Sequence, residues 1–149
     1  MQVRRQARIM ALQALYEIDS VHHQVGVVLQ QRVQDADLPE AGFDFLRKIV
    51  QGVLAHHEEL DVLIGTYAPE WPVDQMAIID RNILRIALFE FLIDGNTPPK
   101  VAINEAVELA KVFGAEQGHK FVNGVLDQVA KKARSAEVKA KRKSGPQAG

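Results

Sequence analysis

The stretch "HKFVNGVL", residues 119–126, sets the dipeptide Asn123-Gly124 among apolar residues. Its reading separates an all-helical chain from one that contains a β-hairpin. Asn-Gly between two alternating strands is the strongest short-range hairpin signal, but the flanks here do not alternate. Phe121, Val125 and Val129 recur at i, i+4 and i+8, which is the spacing of one helix face. A helix through this stretch carries Gly124 at a cost of about 1 kcal/mol relative to Ala, so the glycine needs a reason. Close packing against another helix is one, because a residue without Cβ lets two backbones approach. On that reading Gly124→Leu forces a large side chain into the contact and costs roughly 1–3 kcal/mol.

Outward from this segment the pattern stays helical. Ile9, Leu12, Leu15 and Tyr16 form a stripe behind the N-terminal arginines, and Val25 to Val33 gives a second, weaker one. "DADLPEAG", residues 35–42, reads as a loop. Phe43, Leu46, Ile49, Val50, Val53 and Leu54 make a helix face, and Leu60, Leu63, Ile64 and Tyr67 continue it or start a partner. "APEWPVD" breaks the chain with Pro69 and Pro72. From Met76 to Ile93 apolar residues cover much of the circumference, as expected of a central helix buried on most sides. "DGNTPPK" ends that helix, Val101 to Phe113 forms another, and Gly114 suits the left-handed position after a helix end. The last helix is expected over about 117–134. These segments predict an all-α fold, a helical bundle of about six to seven helices. One domain covers residues 1–133, and residues 134–149 form a basic, disordered tail.

Composition narrows the function. A chain of 149 residues with 47% hydrophobic content suits one domain with a sizeable core. Cys is absent, which removes disulfides, thiolate metal sites and a cysteine nucleophile. No stretch approaches the roughly 20 apolar residues of a membrane span, and the start lacks a secretory signal. No membrane association and a cytoplasmic location are expected. The net charge of −1 conceals a segregation: residues 1–8 hold three Arg and no acid, residues 9–130 hold eight bases and eighteen acids, and residues 131–149 hold seven bases and Glu137. The sums are +3, −10 and +6. Because charge screens over about 8 to 10 Å in physiological salt, either basic end can meet a polyanion, or simply solvate the domain.

Catalytic patterns are missing. His22-His23 and His56-His57 are adjacent pairs, whose side chains diverge by about 100° on a helix and cannot share one metal. His119 has no evident partner. No GxxxxGK[ST] loop, GxGxxG turn or GxSxG elbow occurs, and Asp80, Glu90, Glu105 and Glu108 read as salt-bridge or capping groups. Neither an enzyme nor a cofactor is expected.

"RRQAR" points elsewhere. Arg4, Arg5 and Arg8 lie on the first turns of the first helix, with Arg4 and Arg8 one i, i+4 step apart. The helix dipole disfavours cations there, so another interaction should favour them. Guanidinium groups fork to phosphate oxygens and stack on bases, which makes single-stranded RNA a natural ligand. At the other end Lys120 and Asn123 offer donors near a helix start, and Phe121 can pack in the core or stack on an unpaired base.

"RRQARIMALQALY" at 4–16, "ILRIALFEF" at 83–91, "PPKVAINEAVELAKVFG" at 98–114 and "HKFVNGVLDQV" at 119–129 resemble the NusB family, in order and at the family's spacing. The likeness covers about residues 4–131. It implies an all-α fold of two packed helical subdomains and a role in transcription antitermination. Partners implied are the boxA element of nascent ribosomal RNA, the small-subunit ribosomal protein NusE, and an RNA polymerase antitermination complex. It further implies that Arg4, Arg5, Gln6 and Arg8 bind RNA, that Lys120, Phe121 and Asn123 complete that surface, and that Tyr16 and Asp80 face NusE. Gln6 stands where many members carry another basic residue, and "EQGHK" replaces the more usual "EDSHK". The first helix and the start of the last are expected side by side, arginines holding phosphates while Phe121 and Asn123 engage bases. A helical interaction or dimerisation module without RNA contact, using Tyr16 and Trp71, is the alternative, and a homodimer fits either reading.

Overall fold

The computed structural model describes residues 3–21, 24–35 and 37–144. Within them the fold is all-α, and the described residues contain no strand. The chain runs through α1 (Val3–Val21), α2 (Val25–Asp35), α3 (Glu40–Ala55), α4 (His57–Tyr67), α5 (Ile78–Leu88), α6 (Pro99–Phe113) and α7 (Gly118–Ser144). Asn123-Gly124 lies inside α7, as the spacing of Phe121, Val125 and Val129 requires. A short 3-10 turn, Val73–Gln75, follows the two prolines.

α1 packs against α3 and α5, α5 against α6, and α6 against α7, while α4 lies on α5 and α7. Helix α5 is therefore the shared element, and every residue from Asn82 to Phe91 is buried. Its apolar circumference predicted this. Leu12 and Leu15 of α1, Leu46 and Ile49 of α3, Leu60 and Ile64 of α4, Ile83 and Leu84 of α5, and Leu126 of α7 share one core. Fully burying such a side chain contributes about 1.5–3 kcal/mol.

Four local features depart from the sequence reading. The long apolar helix does not run uniformly: after Leu88 the backbone widens into a π-helical turn, Phe89–Asp94, closed by Gly95 at φ 77°. The Gly95 N–H donates to the Glu90 carbonyl at 3.1 Å, the i to i+5 bond of a π-turn. Gly114 is extended, at φ −77° and ψ 172°, rather than left-handed. α7 continues to Ser144 instead of ending near 134, so residues 134–144 belong to the helix; residues 145–149 of the expected tail lie outside the described residues. Gly124 is also not at a close contact: a Cβ placed there meets nothing within 4 Å.

A polar network joins α1, α4 and α5. The Arg85 guanidinium forks onto Asp61, Nε to Oδ1 at 2.8 Å and Nη2 to Oδ2 at 2.9 Å. Its Nη1 donates to Asp19 Oδ2 at 3.2 Å, and Arg81 Nε donates to the same oxygen at 3.0 Å. Burial pushes the Asp19 carboxyl up, but the bonds and charges of Arg81 and Arg85, with an Asn82 N–H, hold it below its ordinary value. A depressed carboxyl stabilises the fold fully above its unfolded value of about 3.9 and ceases to do so as pH falls through the lower folded value. The melting temperature is expected to drop as pH is lowered below about 4. Asp19→Asn should flatten that acid limb, and an unchanged limb in the variant would remove Asp19 from this role.

Candidate nucleic-acid interface

The arginine cluster divides in two. Arg8 lies in register with Leu12 and Leu15, at i, i+4 and i+7, and so turns into the core. It is 4% exposed. Its Nε donates to Glu90 Oε2 at 2.9 Å and its Nη2 to Oε1 at 2.7 Å, and Thr97 Oγ1 donates to Oε1 at 3.0 Å. The expectation that Arg8 holds phosphate is corrected by this burial, since a guanidinium enclosed in the core and forked onto an internal carboxylate is out of reach of a phosphate in solvent. Arg4 and Arg5 remain on the surface, and Gln6 beside them is half-buried. Arg4 does share a face with Arg8, as their i, i+4 step implies: both guanidinium carbons stand over the Phe45 ring, at 5.0 and 5.1 Å from its centroid.

Arg5 is oriented by α6. Its Nε donates to Glu105 Oε2 at 3.0 Å and its Nη2 to Oε1 at 2.8 Å. Glu105 uses one edge of the fork, which leaves the other N–H groups for a further acceptor. The Arg5 hydrogen bond holds the Glu105 carboxyl below its ordinary value, against some burial. No sequence signal singled out Glu105 or Phe45 as neighbours of the arginines, because neither is local to them in the chain.

At the other end Lys120 and Asn123 are exposed on α7, and Phe121 is half-buried with its ring 5.2 Å from that of Trp71, centroid to centroid. The two ends do not lie side by side. α1 packs on α3 and α5, whereas α7 packs on α6, α5 and α4, so α5 and α6 connect them. Tyr16 is 43% exposed near the end of α1. Among the described residues no three His, Asp or Glu side chains gather as metal ligands, and the His22-His23 pair lies outside them.

Asp80 is not on the surface. It is 5% exposed and sits where the α6–α7 connection folds over the start of α5. A Cβ on Gly114 would come 2.6 Å from Asp80 Oδ1 and 2.7 Å from the Ala110 carbonyl oxygen, and one on Gly118 would come 2.7 Å from Oδ1. Both glycines of "GAEQG" are therefore there for close approach to a carboxylate. Burial pushes the Asp80 carboxyl up, partly opposed by the Ala115 backbone N–H bonded to it. Oδ1 is buried without a hydrogen-bond partner among the described residues. The acid lies against Gly118, the first residue of α7, so the dipole at this helix start already faces an anion of the chain itself. Gln117 precedes it at φ 65°. The joint aims Lys120 and Asn123 outward.

The NusB family model matches residues 5–131. The transcription antitermination protein NusB of Chloroflexus aggregans is 48% identical over 128 residues, 85% of this chain and 85% of that protein. Among solved structures, T. maritima NusB superposes with a TM-score of 0.78 at 31% identity, covering 86% of this chain and 90% of that one. A crystal structure of the antitermination factors NusB and NusE in complex with dsRNA gives a TM-score of 0.80 at 27% identity, covering 89% and 98%.

The glycines of the interface should respond oppositely to alanine. Gly114→Ala is expected to lower stability by about 1–3 kcal/mol through conflict with Asp80 and the Ala110 carbonyl. Gly124→Ala, in open space within a helix, should raise it by up to about 1 kcal/mol. Thermal melting checks both, and equal effects at the two positions would contradict the geometry.

Proposed function

The chain belongs to the NusB family, and from that premise we propose that it acts in transcription antitermination. It binds boxA-type single-stranded RNA of nascent ribosomal RNA together with the small-subunit ribosomal protein NusE, within a cytoplasmic RNA polymerase antitermination complex. The observation that carries this reading is the pair Arg4 and Arg5, exposed on the first turn of α1 where the helix dipole works against them. Arg4 is steadied by Phe45 and Arg5 by Glu105. Their geometry costs less ordering entropy on binding than free side chains do. The similarity to a NusB bound to NusE and dsRNA supports RNA and NusE as the ligand classes.

Within this reading Arg4 and Arg5 hold phosphates, which gives affinity with little sequence information, while Asn123 discriminates bases and the aromatic side chains near it offer them a stacking surface. Tyr16, exposed on α1, is the contact offered to NusE. Asp80 acts from inside, by shaping the loop that precedes Lys120, rather than by touching a partner.

Binding of a short boxA-type RNA, in the presence of NusE, should weaken steeply with salt. Arg4→Ala with Arg5→Ala should weaken binding to boxA-type and scrambled RNA alike and reduce the logarithmic salt slope by about 0.7 for each single-strand phosphate no longer neutralised. Asn123→Ala should narrow the gap between the two RNAs and leave the slope almost intact. A duplex of the same sequence, run in parallel, reports whether strand separation matters. If the arginine variant kept its fold, its affinity and its slope, RNA would bind elsewhere or not at all.

A further inference from the structure

Gly124 lacks the structural reason that a helix-interior glycine ordinarily has. It is exposed, adopts helical backbone, and a Cβ there would touch nothing within 4 Å. Alanine would be more stable at this position, so what the glycine provides is empty space outside the helix.

That space is the middle of a groove of about 470 Å³ between α7 and the corner after α4, lined by Trp71, Phe121, Lys120, Gly124, Gln128 and Glu70 among others. Its volume lies within the roughly 300–1,000 Å³ typical of sites for small organic groups. Trp71 is 48% exposed, yet its ring is not loose. The indole Nε1–H points to the Gln75 carbonyl oxygen at 3.4 Å, and the ring leans on Phe121 at an interplanar angle of 49°. A large aromatic surface is thus held in place and left open to solvent. On α7, Lys120, Gly124 and Gln128 follow at i, i+4 and i+8 along the same wall.

We propose that this groove receives one unpaired RNA base, stacked on Trp71 over the clearance left by Gly124, with Lys120 on an adjoining phosphate. The proposal rests on the RNA-binding reading above and adds a subsite to it. A planar base fits a fixed indole at little entropic cost, and stacking of this kind does not depend on sequence. Gln128 supplies an amide that can both donate to and accept from a base edge. Glu70, the acid in the lining, repels phosphate and accepts from an exocyclic amino group, so it favours a base edge and leaves the phosphate to Lys120. Phe121 then works from beneath, as the support of Trp71, rather than as the stacking surface itself.

Trp71 is the single tryptophan of the chain, so its emission reads this groove directly. Labelled boxA-type RNA is titrated by anisotropy with NusE present, and tryptophan emission is followed in the same mixture, with the Trp71→Phe chain as the blank for NusE. RNA should quench Trp71. Trp71→Ala and Gly124→Leu should each weaken binding by about 5- to 100-fold without changing the salt slope, and Gly124→Leu should melt no lower than the parent chain. Unchanged affinity in Gly124→Leu, with the arginine variant still impaired, would overturn the groove and leave RNA binding standing. Loss of RNA binding from none of the variants, arginine pair included, would remove both.

Discussion

Two charges taken out of water fix the way the helices meet. Arg8 of α1 and Glu90, at the π-helical turn after α5, have side chains 5% and 3% exposed and lie 2.7 Å apart. Desolvating either alone costs several kcal/mol, and the pair recovers that only when geometry is good and the remaining polar atoms are bonded. Here the Glu90 side is well bonded: the carboxylate accepts two arms of Arg8 and the Thr97 hydroxyl, and the Glu90 carbonyl accepts the N–H groups of Gly95 and Thr97. One residue thereby fixes the position of α1, the end of the π-turn, and the entry into α6 at Pro98-Pro99. With α6 so placed, Glu105 stands opposite Arg5.

The surface follows from that interior. An arginine given to the core lowers the basic charge available to a ligand, and what remains is organised rather than abundant: Arg4 on an aromatic ring, Arg5 on a carboxylate. At the far side the Asp80 carboxylate plays a related part, since its burial between Gly114 and Gly118 folds the α6–α7 connection and sets where α7 begins. A net charge of −10 over residues 9–130 means that a polyanion is met by these few positioned cations and by ring surfaces, not by a broad positive field.

Helical periodicity was legible throughout, including the burial of α5 and the breaks at Pro69, Pro72 and Pro98-Pro99, because those signals are local. The family likeness was legible for the same reason, being carried by four contiguous blocks. Arg8 was misread although two signals existed: it shares the stripe of Leu12 and Leu15, and Glu90 is an acid inside the apolar run "LFEFLI". Joining them needs a pairing across 82 residues, which no periodicity supplies. The glycines were misread for a related reason. Gly114 looked like a left-handed cap and is a close approach to Asp80, while Gly124 looked like a close approach and is open space; what a glycine makes room for belongs to its neighbours in three dimensions. The adjacency expected of α1 and α7 failed because helix order in the chain does not give helix order in the bundle.

The most direct test of Arg8–Glu90 as the fixing point is a double-mutant cycle followed by denaturant unfolding, with Arg8→Met and Glu90→Leu alone and together. Each single change leaves a buried charge unpaired and is predicted to cost about 3–5 kcal/mol. The double variant, which buries apolar groups of similar size, should cost clearly less than the sum of the two, and its refolded form should retain the RNA salt slope of the parent chain. Single changes that each cost under about 1 kcal/mol and add without coupling would contradict a buried pair at this position.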